Sequence, residues 1–174
     1  MPHELHVSDI RAARCTIQNV ADFLGDLRKI AADCDTCIIC FNADMMAGSV
    51  HALSAVRHAV RAFGAGENIS NNLEMECLLY AAGSRQCSLA ASFGIHEGEN
   101  RLFICCYPPR PGIWRVLDPV FRFSQESRDG IDPEKKERLM KFFEISREEI
   151  DAAGGDHRIV DLVLERVALL QVTR

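Results

Sequence analysis

Between Gly66 and Ile95 the chain carries two helix starts and two glycine stops, in the stretch GENISNNLEMECLLYAAGSRQCSLAASFGI. Punctuation this dense allows no long helix. Asn71 and Glu74 have the spacing of a capping box, in which each side chain satisfies a free backbone N–H of the first turn. The helix NLEMECLLYAA then runs to Gly83, and Ser84 opens a second one, RQCSLAASF, which ends at Gly94. Two short helices joined by a tight Gly-Ser turn cannot bury much by themselves, so the rest of the chain must supply the surface they pack on.

That surface is legible as strands. TCIICFNA and NRLFICCYP are short, apolar and bounded by polar residues, and read as buried strands. Residues 1–18 hold one or two more. Val20, Phe23, Leu24, Leu27, Ile30 and Ala31 recur at helical spacing behind a capping Asn19. A helix from Ser49 to Phe63 presents Leu53, Val56, Val60 and Phe63 as its apolar stripe, with Gly64 or Gly66 as its stop. GIWRVLDPVFRF reads as extended, broken at Pro119. Asp132-Pro133 caps the helix EKKERLMKFF, and Ser146 with Glu149 forms a second capping box before EEIDAA. The chain closes on DHRIVDLVLERVALL, in which nine of the twelve residues from Ile159 to Leu170 are apolar. Such wide coverage means a central buried helix or one that also docks on another protein. There is no internal repeat and no linker. The expectation is one domain over residues 1–174, α+β in class, with a single small mixed or antiparallel sheet packed against several helices.

The net charge of −5 excludes broad, non-specific nucleic-acid binding but allows a local basic patch. No apolar run approaches the roughly 18 residues of a membrane span, and MPHELHVSDI has no basic segment followed by an apolar one. A cytoplasmic protein is expected, with no membrane contact, no cofactor and no small-molecule substrate. Eight cysteines lie mostly in apolar runs, where they act as small buried hydrophobes and free thiols. Cys34, Cys37 and Cys40 are spaced like metal ligands, but Cys37 and Cys40 fall in or beside a buried strand and no second ligand pair follows. Buried thiols are the favoured reading, and a metal or redox protein is the alternative. His51 and His58 stand at i,i+7, able to share a polar helix face, with no clearly placed nucleophile beside them.

Anion recognition is the stronger signal. The helix 49–63 contains Arg57 and Arg61 and no acidic residue, unusual in an acidic chain. The GENIS loop and the GSRQ turn each lead into a helix N-terminus, where free N–H groups and the dipole favour phosphate. Arg85 adds a planar donor fork; Asn68, Ser70, Asn71 and Gln86 offer neutral hydrogen bonds suited to sugars and base edges. Capping and turn chemistry alone explains these residues equally well. The alternative reading is a purely structural dimerisation module.

These residues also carry a resemblance. Asn68-Ile69-Ser70, Leu73-Glu74-Met75-Glu76-Cys77-Leu78-Leu79-Tyr80, Arg85-Gln86, Gly94-Ile95 and the closing LVLERVALL resemble, in order and spacing, the signature of the small non-catalytic KEOPS subunit family, homologues of the kinase-binding protein TPRKB. The match spans roughly Cys37 to Val172; Cys87 stands where the family usually has isoleucine. The resemblance implies a non-enzymatic tRNA-processing protein. It would bind the kinase-like ATPase subunit and grip the tRNA 3′ CCA end during threonylcarbamoyladenosine synthesis, with the chemistry left to other subunits. Asn68, Ile69, Ser70, Asn71, Arg85 and Gln86 are the expected contacts to the RNA end, with Arg57 and Arg61 on phosphates and Glu74 and Glu76 structural.

Overall fold

The computed structural model describes residues 3–125 and 127–173. Among them are eight α-helices and four antiparallel strands in the order β2-β3-β1-β4. β3 (Gly98–Tyr107) lies between β1 (Arg11–Ile17) and β2 (Cys37–Asn42); β4 (Arg122–Phe123) extends the far edge. The pairing runs Arg11↔Ile104 to Ile17↔Gly98 on one side and Cys37↔Tyr107 to Asn42↔Leu102 on the other.

The consecutive apolar residues of β2 and β3 follow from helices lying on both faces. Side chains alternate across a strand. Ile39, Phe41, Phe103 and Cys105 enter the larger core, under α2 (Ser49–Gly64), α3 (Leu73–Ala82), α6 (Pro133–Phe143) and α8 (Ile159–Leu169). Ala13, Ile38, Leu102, Ile104 and Cys106 enter the smaller one, with Leu27 and Ala31 of α1 (Val20–Asp33) and Ile113 and Leu117 of α5 (Ile113–Leu117). Cys105 and Cys106 thus point to opposite faces. α4 (Cys87–Ala90) and α7 (Arg147–Ala153) complete the set.

GIWRVLDPVFRF is not extended throughout. Gly112 in the left-handed region, at φ 79°, begins the single turn of α5, and only Arg122–Phe123 join the sheet. The physical reason is the i,i+4 pair Ile113 and Leu117, both buried on the smaller core. The stripe of α2 also differs from expectation. Ala52, Ala55, Val56, Ala59 and Ala62 are buried, whereas Val60 and Phe63 are only half-buried. Small residues let α2 sit close to its neighbours, which leaves a narrow outer strip with Val50, Arg57 and Arg61.

His51 belongs to the core and not to a polar face. It is fully buried, its Nδ1 accepting the Ala47 N–H (3.0 Å) and its Nε2 facing the Ala81 carbonyl (2.8 Å). An accepting Nδ1 and a donating Nε2 define the neutral Nε2–H tautomer. His51 therefore joins the start of α2 to the end of α3, so the two helices run antiparallel. Gly83 ends α3 at φ 59°, and a Cβ there would lie 3.0 Å from the Arg166 carbonyl oxygen of α8.

Candidate nucleic-acid interface

The loop before α3 is organised by a residue of the helix itself. Glu76 is fully buried, and its carboxylate accepts the backbone N–H of Ile69 (3.0 Å to each oxygen) and of Ser70 (2.7 Å). Charge-assisted bonds of this kind offset the cost of burying the charge, helped by the positive end of the helix. Asn68 Nδ2 donates to the Ser70 carbonyl (2.8 Å), and Asn72 Oδ1 accepts the Met75 N–H (2.7 Å). Asn72, not Asn71, is thus the cap, and the expected Asn71–Glu74 box does not form. Asn71 stays exposed in the loop. The N–H groups of Ile69 and Ser70, which the sequence offers to an incoming anion, are already held by the chain's own carboxylate.

The second turn is open. Ser84 Oγ accepts the Gln86 N–H (3.1 Å), and α4 is only four residues long. Arg85 and Gln86 are exposed, and Arg85 makes no ion pair among the described residues. A cavity of about 720 Å³ opens alongside, lined by Ser84, Leu89, Phe142, Arg138 and Lys141. Apolar Leu89 and Phe142 line it together with the charged Arg138, Lys141, Arg166 and Glu144. Periodicity in the sequence gave no sign of it, because only the tertiary fold brings α6 against the Ser84 turn.

The expected contacts do not form one pocket. Asn68–Asn71 precede α3 and Arg85-Gln86 follow it, separated by a ten-residue helix of about 15 Å. Arg61, exposed in the last turn of α2, belongs to the Asn68 end, since the chain turns directly from α2 into that loop. Arg57 donates through Nη2 to the Leu5 carbonyl (2.5 Å) and so also fastens the N-terminal segment. A strand of several nucleotides reaches both ends of α3; a single nucleotide does not. His58 stacks on Tyr80 (5.3 Å, 13°) and meets Gln171 Oε1 through Nδ1 (3.2 Å).

Cys34, Cys37 and Cys40 do not converge. Cys37 packs on the larger core and Cys40 on the smaller, on opposite faces of β2, with Cys34 at the end of α1. Among the described residues, no three His, Cys, Asp or Glu side chains gather as metal ligands. Burial pushes the Cys15 thiol up to about 11 and that of Cys106 to about 12, and raises Cys40, Cys77 and Cys105. Those groups are thiols, not nucleophilic thiolates, at neutral pH. The arrangement gives the metal or redox alternative no support.

Helices layered on both faces of a small antiparallel sheet, with a carboxylate-tied loop at one end of a short helix and a free Arg-Gln turn at the other, define a binding module of the α+β class. The model of the family described as kinase binding protein CGI-121 matches residues 15–171, and the chain belongs to that family. The kinship to small KEOPS subunits expected from the Asn-Ile-Ser and Arg-Gln signatures thereby holds. No curated protein matches the chain. No helix among the described residues is long and apolar enough to cross a membrane.

Proposed function

We propose that this chain is a non-catalytic, cytoplasmic subunit of a KEOPS complex, which binds the kinase-like ATPase subunit and recruits tRNA through its 3′ CCA end for threonylcarbamoyladenosine synthesis. Family membership supports the kinase partner. The observation that carries the RNA half is the free Arg85 guanidinium beside the cavity lined by Phe142, Leu89, Arg138 and Lys141. Single strands are held by stacking bases on flat side chains and by cations along the backbone, and that cavity supplies both. Asn68, Ile69, Ser70 and Asn71 with Arg61 would meet the strand farther along. For the kinase partner, Leu169 (45 % exposed) and Val172 (73 % exposed) leave an apolar edge at the end of α8, which the His58–Gln171 contact ties to α2.

The test is Arg85→Glu, assayed separately for tRNA binding and for capture by the kinase-like subunit. The reading expects tRNA affinity to fall at least tenfold, which is about 1.4 kcal/mol, while kinase binding is unchanged. Intact RNA binding after this charge reversal would refute the RNA half. A tRNA trimmed of its CCA tail should bind as weakly as the intact tRNA does to the variant.

A further inference from the structure

Of the two edges of the sheet, only one is defended. β4 is two residues long and carries Arg122, a short charged edge of the kind that resists pairing. β2, at the opposite edge, runs for six residues, CIICFN, with no charge and no proline. Its register with β3 is unbroken, so it has no bulge either. In an antiparallel pair every second residue of an edge strand turns its N–H and C=O outward. Among the described residues, no backbone group from Ile38 to Phe41 finds a hydrogen-bond partner outside β3. A cavity of about 240 Å³ opens here, and Ile38, Ile39 and Cys40 all line it. Ile38 and Cys40 point to the smaller core and Ile39 to the larger. Three consecutive residues with alternating side chains share one cavity only where it opens on the edge of the strand. Its walls are apolar and come from both sides of the sheet, with Leu24 and Leu27 on α1 and Met75 and Leu78 on α3. Each side also carries one charge, the exposed Arg28 on α1 and the half-buried Glu74 on α3, and neither makes an ion pair among the described residues.

We propose that this edge receives an extended segment of a partner protein, which adds a strand beyond β2 and sets its alternate side chains against α1 and α3. The unpaired backbone groups select the occupant. Only another polypeptide in extended form offers N–H and C=O groups at the spacing of a strand; a helix or an RNA does not. Arg28 and Glu74 specify the segment further, as one with an acidic side chain on the α1 face and a basic one on the α3 face. A second copy of this chain suits the edge less well. The comparable free edge it could bring is β2 itself, and an antiparallel β2–β2 pair keeps each face of the sheet with its like. Arg28 would then meet Arg28, and Glu74 meet Glu74, near the middle of the paired strands, where like charges oppose pairing. The proposal rests on neither the RNA nor the kinase reading above.

The first measurement needs no partner. Hydrogen exchange of the free chain should be fast at alternate amides from Ile38 to Phe41 and slow at those between them. Uniform protection along β2 overturns the open edge. The second titrates a synthetic ten-residue peptide of valine and threonine into the full chain and follows the same amides. The peptide carries one aspartate and one lysine three positions apart, so that they face opposite sides of a strand. Saturable binding that slows the fast β2 amides is expected, weakened about fivefold in Arg28→Glu. Arg28 is exposed, so that variant should fold; Met75→Lys, on the opposite wall, is the second probe and should also weaken binding. The same peptide N-methylated along its backbone should not bind. No saturable binding to the wild-type chain, or equal binding by the N-methylated peptide, overturns strand addition. Sedimentation of the free chain tests the other occupant: a dimer that protects the β2 amides assigns the edge to a second copy and overturns the partner segment. An Arg85→Glu chain should bind the peptide as the wild type does, so failure of the RNA reading and failure of this one are read separately.

Discussion

Glu76 and His51 are single side chains around which the candidate surface is organised. Glu76 is a buried anion whose work is to hold two backbone N–H groups of the Asn68–Asn72 loop. Replacing it with Gln turns an amide N–H₂ toward those donors, and Glu76→Gln should lower stability by about 3 kcal/mol, read as a shift in the urea midpoint. His51 makes stability depend on pH. Burial, with a smaller contribution from the nearby Lys135, lowers it from 6.5 to about 4. Its pKa is lower folded than unfolded, so the unfolded chain binds the extra proton first. The contribution is whole above pH 6.5 and is lost as pH falls from 6.5 toward 4, by about 3 kcal/mol. Burial lowers His58 in the same direction. Urea melts at pH 7 and pH 5 should therefore differ, and the difference should shrink in His51→Gln.

The helices show which local signals the folded chain uses. Asn19, Asp132 and Ser146 cap α1, α6 and α7 as their sequence positions indicate. At α3 the cap moves one residue, from Asn71 to Asn72. Two adjacent asparagines are chemically equal candidates; the choice falls to the one that lets Ile69 and Ser70 reach Glu76, a contact seven residues apart that no capping rule contains. Asn72→Ala should cost about 1 kcal/mol and Asn71→Ala only a few tenths, compared by thermal melting. At the other end, Gly83→Ala adds a Cβ in the left-handed region and against the Arg166 carbonyl, and should cost at least about 1 kcal/mol. The cationic character of α2 was legible from its composition. The commitment of Arg57 to Leu5 was not, since the two residues lie on segments joined only by folding.

Across the whole molecule, the proposed RNA and kinase surfaces adjoin through α8, whose Arg166 carbonyl lies against Gly83 and whose last turn carries Leu169. The Arg85 turn lies beyond the C-terminal end of α3 beside α6, whereas Leu169 and Val172 are at the end of α8. Charged substitution of Leu169 and Val172 to Asp should abolish capture by the kinase-like subunit, measured by pull-down on the folded variant. RNA binding by the intact chain should weaken steeply with salt. The slope of log affinity against log salt should fall by about 0.7 in Arg85→Gln, the signature of one lost phosphate contact on a single strand.

The sequence by itself determined the α+β class, the strands CIICF and LFICCY, the positions of most helices, and the family, because capping, glycine stops and apolar runs act over a few residues. Tertiary structure alone decided that Arg85 stands free, that His51 is buried, and that the two expected binding segments lie at opposite ends of α3. Each of those outcomes depends on groups far apart in the chain meeting in a low-dielectric interior or at its rim, where charge and hydrogen-bond partners are set by neighbours and not by spacing.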